Sequence, residues 1–469
     1  MNIQLIVVIA YLMVLFATAV WAARLVRRGR EGFLLASRNL SAPLIACTLT
    51  GLAIGGASTI GVAESAFRGQ GLGAGWYCVA WSVSALIIAF VSSAQFRRLN
   101  LVTVPELFRL YFDRAGYTAC ILVQVLIQLT ITSLQYVAGG AILSELLPEV
   151  FPDLRTGMVF SAMVFIALTF FGGLWSASLS NVLNVALIYG GMSLAAWLSV
   201  ESLGGLAGLS ARLPQTPDYF SWVEGAGFMQ ISIWIVASAT ANFSFQGPLQ
   251  IVFAARDEKA ARNGFFTGAL LMIPIGFVAA LIGIAAKAAS PHIADPRLAL
   301  PTMLISLNPW IAGIALAALW AADISTAIGL LLSSSTIVIK DVVPSLFRRE
   351  VTEKRQLGFN RAVVLIIGGL TLFLALKISS ILEALMIGLS LGTGMTIVIL
   401  FIFYAPRFCR RSSAAWVLAA NVLVIAAWIA LPVTRITPHA VFSSWIVCLA
   451  VFFAVAVIDY RPIRLKASS

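Results

Sequence analysis

Charge is what this chain has least of. Of 469 residues, 11% are Asp, Glu, Lys or Arg, while 60% are hydrophobic. An aqueous globule cannot cover itself with so few ionised groups, so lipid must be the solvent. The length alone would hold about three soluble domains, yet no polar stretch is long enough to form one. Histidine is scarcer still: His292 and His439 are the whole supply, both expected in outside loops. No His/Cys/carboxylate cluster appears, and no phosphate-binding glycine loop followed by Lys-Ser/Thr, which disfavours a membrane enzyme or an ATP-driven pump. The five cysteines (Cys47, Cys78, Cys120, Cys409 and Cys448) form no Cys-x-x-Cys pair. Four of them lie in apolar runs, where they read as small hydrophobes. No organic cofactor is expected. The net charge of +12 comes from basic residues clustered in short loops between apolar runs. That pattern sets membrane topology and does not point to nucleic acid.

Long apolar runs are what is there. Runs of roughly 20 residues, enough to cross a bilayer, recur near 3–23, 42–67, 72–95, 117–147, 156–171, 175–200, 227–248, 263–288, 310–339, 362–378, 380–405, 414–432 and 440–458. They predict an all-α integral membrane protein of about thirteen transmembrane helices in one unit. The first run, Ile3 to Ala23, lacks a basic n-region and reads as a retained helix, not a cleaved signal. With the N-terminus outside, 24 of the 31 basic residues fall in cytoplasmic segments, and flipping or miscounting one span destroys that asymmetry. The expected location is the plasma (inner) membrane, multi-pass, with the C-terminus cytoplasmic. The polar loop 201–225 predicts an outside hairpin or short helix. The Pro-bounded segment 290–307 predicts an amphipathic surface helix.

Inside the run from Trp310 to Val338 sits a polar knot, Ala321-Ala322-Asp323-Ile324-Ser325-Thr326. Polar groups at bilayer depth face a protein-lined cavity and mark function. Hydroxyl oxygens beside free carbonyls suit a small hard cation, whereas an isolated Ser/Thr pair would bond back to its own helix. Asp323 shifts that balance, since a buried carboxylate needs a cation, a donor or a proton. The second run carries Gly51, Gly55, Gly56 and Gly61 with Ser58 and Thr59; alone, this reads as close helix packing. The seventh run, Ser238 to Pro248, is also polar and helix-breaking. If runs 2–6 and 7–11 are two five-helix repeats, these breaks head each half, which points to a transporter's central site. A bend at 51–56 would free carbonyls to complete an oxygen cage with Ser325 and Thr326.

The residues resemble the sodium:solute symporter family. The most specific piece is Leu168-Thr169-Phe170-Phe171-Gly172-Gly173-Leu174-Trp175-Ser176, opening a helix after an apolar span. Thr103-Val104-Pro105-Glu106, Gln250 to Arg256, and the knot with Ser333 to Thr336 and Lys340-Asp341 follow in the family's order. The resemblance covers nearly the whole chain. It implies the leucine-transporter fold: inverted five-helix repeats over a ten-helix core (41–405), an extra N-terminal helix (1–40), and two C-terminal helices (406–469). It also implies a sodium site from the carbonyls of Gly51, Ile54 and Ala322 with the hydroxyls of Ser325 and Thr326. Two departures stand out. Asn181 replaces an Asp that many members place after the Gly-Gly motif, and Ile328 and Gly329 replace hydroxyl residues. A second sodium there is not expected, and one ion is predicted. Asp323 stands where an apolar residue is common, as a cation ligand, a proton carrier or a partner for a neighbouring helix.

By the same resemblance, solute lies between the broken helices, against Ala53, Gly56, Ser58, Tyr77, Trp81, Gln135, Ser238, Ala241 and Asn242. Cys78 stands where sugar-carrying members use Glu, and this set offers too few hydrogen-bonding groups for a sugar. A small organic acid or amino-acid-like solute is expected, held by half-helix N-termini and the bound cation. Glu64 reads as an outer rim residue or vestibule lining, and Trp76 as an interfacial anchor or pocket wall. The implied activity is sodium-coupled symport by alternating access. The alternatives are a membrane sensor on a transporter-like domain, or a proton-coupled carrier using Asp323. About ten residues follow the last run, which argues against a fused output domain.

Overall fold

The computed structural model describes residues 3–26, 34–171, 174–343, 353–378 and 380–463. Gly172, Gly173 and the basic residues Arg27, Arg28, Arg30, Arg348, Arg349, Arg464 and Lys466 lie outside the described residues. Backbone satisfaction in lipid requires helices or closed barrels. Here the described chain is helical, with isolated bridges only at Leu40–Ala255 and Arg410–Pro462.

Each apolar run is seen as helix. In chain order these are α1 (Ile3–Val26), α2 (Ala42–Ala53), a helical stretch over 57–70, α3 (Trp76–Ile87, continuing in helical turns to 98), α4 (Arg114–Leu146), α5 (Leu154–Phe171) and α6 (Leu174–Glu201). Next come α7 (Gly227–Asn242), α8 (Gln246–Ala254), α9 (Glu258–Ala289), α10 (Ala299–Ile305), α11 (Pro309–Ile337), α12 (Glu353–Ala375), α13 (Ile381–Ser390), α14 (Thr393–Tyr404), α15 (Ser413–Ala430) and α16 (Ala440–Ile458). Gly69 and Gly71 take φ of 117° and 53°, which turns the chain between 57–70 and α3. Among the described residues, seven helical segments are long and apolar enough to cross a membrane, up to nine when two bent pairs count as single spans. Four further apolar helices are shorter. The bent pairs are α7–α8, by 50°, and α13–α14, by 42°.

Polar residues sit at the ends of the elements, where main-chain groups need partners. Asp113, Asp257 and Asn308 cap α4, α9 and α11 through the amides of Gly116, Ala260 and Trp310. His439 caps α16 through Nδ1 and the Val441 amide. The helix carrying the polar knot, α11, is the hub: it packs on α1, α2, α4, α6, α8, α10 and α12. Large apolar side chains such as Leu122, Phe373 and Ile446 stay exposed on the outside, a face that suits lipid. Segment 201–225 holds a short helix, Gly205–Ala211. The surface helix expected within 290–307 is not on the surface. α10 buries Ala299, Leu300, Met303 and Leu304 against α4, α9 and α11, because its apolar face finds protein before it finds lipid.

Candidate functional site

Helix α2 ends at Ala53, and Ile54 leaves helical geometry at φ −92° and ψ 85°. Helix resumes at Ala57. Three glycines in six residues make this break cheap, because glycine is a poor helix former. Among the described residues, no main-chain amide is bonded to the carbonyls of Gly51, Leu52, Ala53 or Ile54. Side chains take their place. Ser325 Oγ donates to Gly51 O at 2.8 Å and is also 2.8 Å from Ala322 O. Thr326 Oγ1 donates to Gly51 O at 3.0 Å. Ser58 Oγ folds back to Ala53 O at 2.5 Å. The structure therefore gathers Gly51, Ala322, Ser325 and Thr326 at one point, with Ile54 at the bend beside them. Oxygens so arranged can wrap a small cation in place of these mutual hydrogen bonds.

Gly51 must be glycine, since a Cβ there would lie 2.5 Å from Asn181 Cγ. Asn181 in turn reaches Thr48 O at 3.4 Å and accepts from Asn184 Nδ2 at 3.3 Å. Tyr11 OH closes the chain on Asn184 Oδ1 at 2.7 Å. The neutral amide that replaces the expected acid is thus held in a buried hydrogen-bond chain linking α1, α6 and α2.

Asp323 is fully buried and neither carboxylate oxygen has a hydrogen-bond partner among the described residues. It lies beside Gly56, where a Cβ would sit 2.9 Å from Oδ1. The Gly56 amide donates to Gln135 Oε1 at 2.8 Å, which ties the break to α4.

A narrow pocket lies at the break. Of the expected solute residues, Ala53, Tyr77, Trp81 and Gln135 line it, together with Gly55, Thr326 and Phe245. The other five do not. Gly56 is turned to Gln135 and Ser58 to Ala53. Asn242 donates to Ser84 Oγ at 2.8 Å, and Ala241 packs against Gly392. Ser238 is buried with its hydroxyl unpartnered. Gly56 and Ser58 are taken up at the first break itself, while the polar residues of α7 (Gln230, Ser232, Ser238, Thr240 and Asn242) share no common face, so its sequence gives no register for its inward side. Phe245, in the kink between α7 and α8, was missed although it sits in the recognised break. Leu385 of α13, also in the lining, carries no polar signal that could have found it.

Two further spaces flank this pocket. Towards α8, a small space is lined by Thr48, Asn181, Gln250, Ser325 and Gly329. Ser325 thus faces one space and Thr326 the other. At the opposite end, a larger vestibule is lined by Arg68, Gln70, Gln230, Trp234, Glu383 and His439. Trp234 meets Tyr77 edge-on at 6.4 Å, so it stands between vestibule and pocket. Glu64 is buried beneath, accepting from Arg68 Nε at 3.1 Å. Trp76 is fixed by donation to Trp222 O at 2.9 Å. Outside the spans, burial lowers His439 to about 4. Burial pushes Asp295 upward, yet hydrogen bonds from Arg297 leave its carboxyl below the usual range.

The sequence profile of the sodium:solute symporter family matches residues 33–419. The sodium/pantothenate symporter of Escherichia coli (strain K12) is 28% identical over 389 residues, covering 78% of each chain. The sodium/proline symporter of Haemophilus influenzae is 25% identical over 393 residues, 76% of this chain and 75% of that one. Among solved structures, a Na+-coupled sialic acid symporter in a substrate-bound, outward-open state superposes with a TM-score of 0.81. That match has 16% identity, spans 99% of this chain and 100% of the other, and bears on fold alone.

Proposed function

The chain belongs to the sodium:solute symporter family, and from that premise we propose that it carries one small solute with sodium by alternating access. The family is one of transporters, so this is a multi-pass membrane protein and not an enzyme. The observation that carries the reading is the Gly51 carbonyl, freed by the break and met by both Ser325 and Thr326 hydroxyls. Sodium replaces those two hydrogen bonds with direct ligation by Gly51, Ile54 and Ala322 carbonyls and the same two hydroxyls. The neutral oxygens lower the cost of dehydrating the ion without trapping it.

The solute we assign is a small organic acid or amino-acid-like molecule. Tyr77, Trp81 and Phe245 supply apolar walls and Gln135 one amide, a set too poor in donors for a polyhydroxylated sugar. The solutes named for the two relatives, pantothenate and proline, are small acids as well. In this reading all thirteen apolar runs cross the plasma membrane as one transport unit, with the N-terminus outside and the C-terminus cytoplasmic. The core over 41–405 forms inverted repeats. The breaks near 54–56 and 243–245, one at the head of each proposed half, support that arrangement.

Uptake of radiolabelled proline and pantothenate into proteoliposomes tests the assignment. Ser325→Ala and Thr326→Ala are each expected to raise the half-saturating sodium concentration about tenfold, the worth of one ligand oxygen. Unchanged sodium dependence in both variants would remove the site.

A further inference from the structure

Resting on the sodium site assigned above, we propose that the protein binds a second sodium ion beside the first. Its ligands are the Asp323 carboxylate, Gln135 Oε1 and Thr326 Oγ1, gathered over Gly55 and Gly56. Asp323 is fully buried, and its two oxygens have no partner among the described residues. A buried carboxyl in that position takes either a proton or a counter-charge, because burial penalises the lone charge. The oxygens that could share such a charge are already in place. Thr326 lies three residues along α11 from Asp323, hence on the same face. Gln135 Oε1 is 2.8 Å from the Gly56 amide.

The two glycines show how closely these groups crowd the break. A Cβ on Gly55 would lie 2.5 Å from both Gln135 Oε1 and Thr326 Oγ1. One on Gly56 would lie 2.9 Å from Asp323 Oδ1. Carboxylate, amide and hydroxyl oxygens with no nitrogen or sulfur among them select a hard cation. Asp323 is absent from the lining of the pocket at the break, and the Ala138 methyl closes against Gly56, a crowding that suits a bare ion better than an organic ammonium. Asn181 is no rival ligand for this ion, since it faces the other side of the break within its own amide chain.

A cation here bears on transport because Gly55, Gln135 and Thr326 also line the solute pocket. Filling the site fixes one wall of that pocket, which gives ion and solute a shared coupling free energy.

Equilibrium binding of radioactive sodium to the purified protein, without solute and at constant ionic strength, separates the two sites. Two ions per protein are expected in the wild type, one in Asp323→Asn, and two in Ser325→Ala with one of them weakened about tenfold. Should the wild type and Asp323→Asn each bind one ion with the same affinity, and Ser325→Ala bind it about tenfold more weakly, the second site is overturned while the first stands. Should a single wild-type ion vanish in Asp323→Asn and keep its affinity in Ser325→Ala, both assignments fall. If Asp323→Asn does not fold, Gln135→Leu decides. It keeps the carboxylate and is expected to weaken one of the two ions about tenfold; an unchanged two-ion curve overturns the proposal.

Discussion

Gly51 answers to two neighbours at once. Its carbonyl receives Ser325 and Thr326, while its α-carbon faces the Asn181 amide with no room for a methyl. Gly51→Ala should therefore cost about 1–3 kcal/mol by overpacking, read as a lower thermal midpoint in detergent, and should raise the sodium half-saturation as the carbonyl is displaced. Adding Asn181→Ala vacates the space, so the double variant should recover most of the stability. A double variant no better than the sum of the singles would locate the strain elsewhere. At Thr326 the hydroxyl, not the methyl, is what the bend uses. Thr326→Ser should hold sodium affinity near wild type, whereas the near-isosteric Thr326→Val should lose about tenfold.

Broken helices do what straight ones cannot, since each break releases main-chain groups that other elements then capture. At the second break Gln124 Nε2 donates to Ser244 O at 2.5 Å, and Gln246 N donates to Gln124 Oε1 at 3.3 Å. Gln246 also reaches the segment after α3: its Oε1 accepts from Val104 N at 2.7 Å, and its Nε2 donates to Val102 O at 3.1 Å. Arg97 Nε binds Ala255 O at 2.7 Å, fastening the far end of α8. Gln246→Leu leaves the buried Val104 amide unpaired, at a cost of about 1–3 kcal/mol to the closed arrangement. In the proposed orientation that change should open the cytoplasmic end, so a Thr48→Cys probe in the pocket beside α8, with Cys47 replaced by Ala, should react faster with maleimide in inside-out vesicles. At the start of α16 a different element-level device depends on pH. His439 caps as the neutral ring, and burial lowers it from 6.5 to about 4. The unfolded chain takes up the proton first, so the cap's contribution is present above pH 6.5 and fades as pH falls towards 4. The thermal midpoint of the wild type should drop over that window more than that of His439→Asn, which keeps a capping oxygen without titrating.

At the scale of the whole molecule, hydropathy made the fold legible, because lipid forces every backbone group into helices and each helix into an apolar run. The two breaks were legible for the opposite reason, as places where glycine or proline joins hydroxyls and amides inside such a run. That a bend over 51–56 meets Ser325 and Thr326, some 270 positions away, was readable from the polar residues, while the choice of the Gly51 carbonyl came from the family resemblance. What stayed hidden was rotation. The polar residues of α7 share no common face, so Asn242 bonding to Ser84 could not be read, and nothing in the α10 sequence tells protein from lipid as the partner of its apolar face. The assembled molecule has a large vestibule at one end, while the other end is fastened by Gln246 and Arg97. The sodium site at Gly51 needs α2 and α11 together, so the ion stabilises whichever state keeps that contact, in proportion to its differential affinity. With the vestibule outside, sodium should favour the state seen here. A Gln230→Cys probe in the vestibule should then label faster from outside in sodium than in its absence, and the Thr48→Cys probe more slowly from inside. A tenfold change in either rate corresponds to about 1.4 kcal/mol of sodium-linked preference. Labelling indifferent to sodium at both ends would mean that the ion binds the two states equally and cannot drive their exchange.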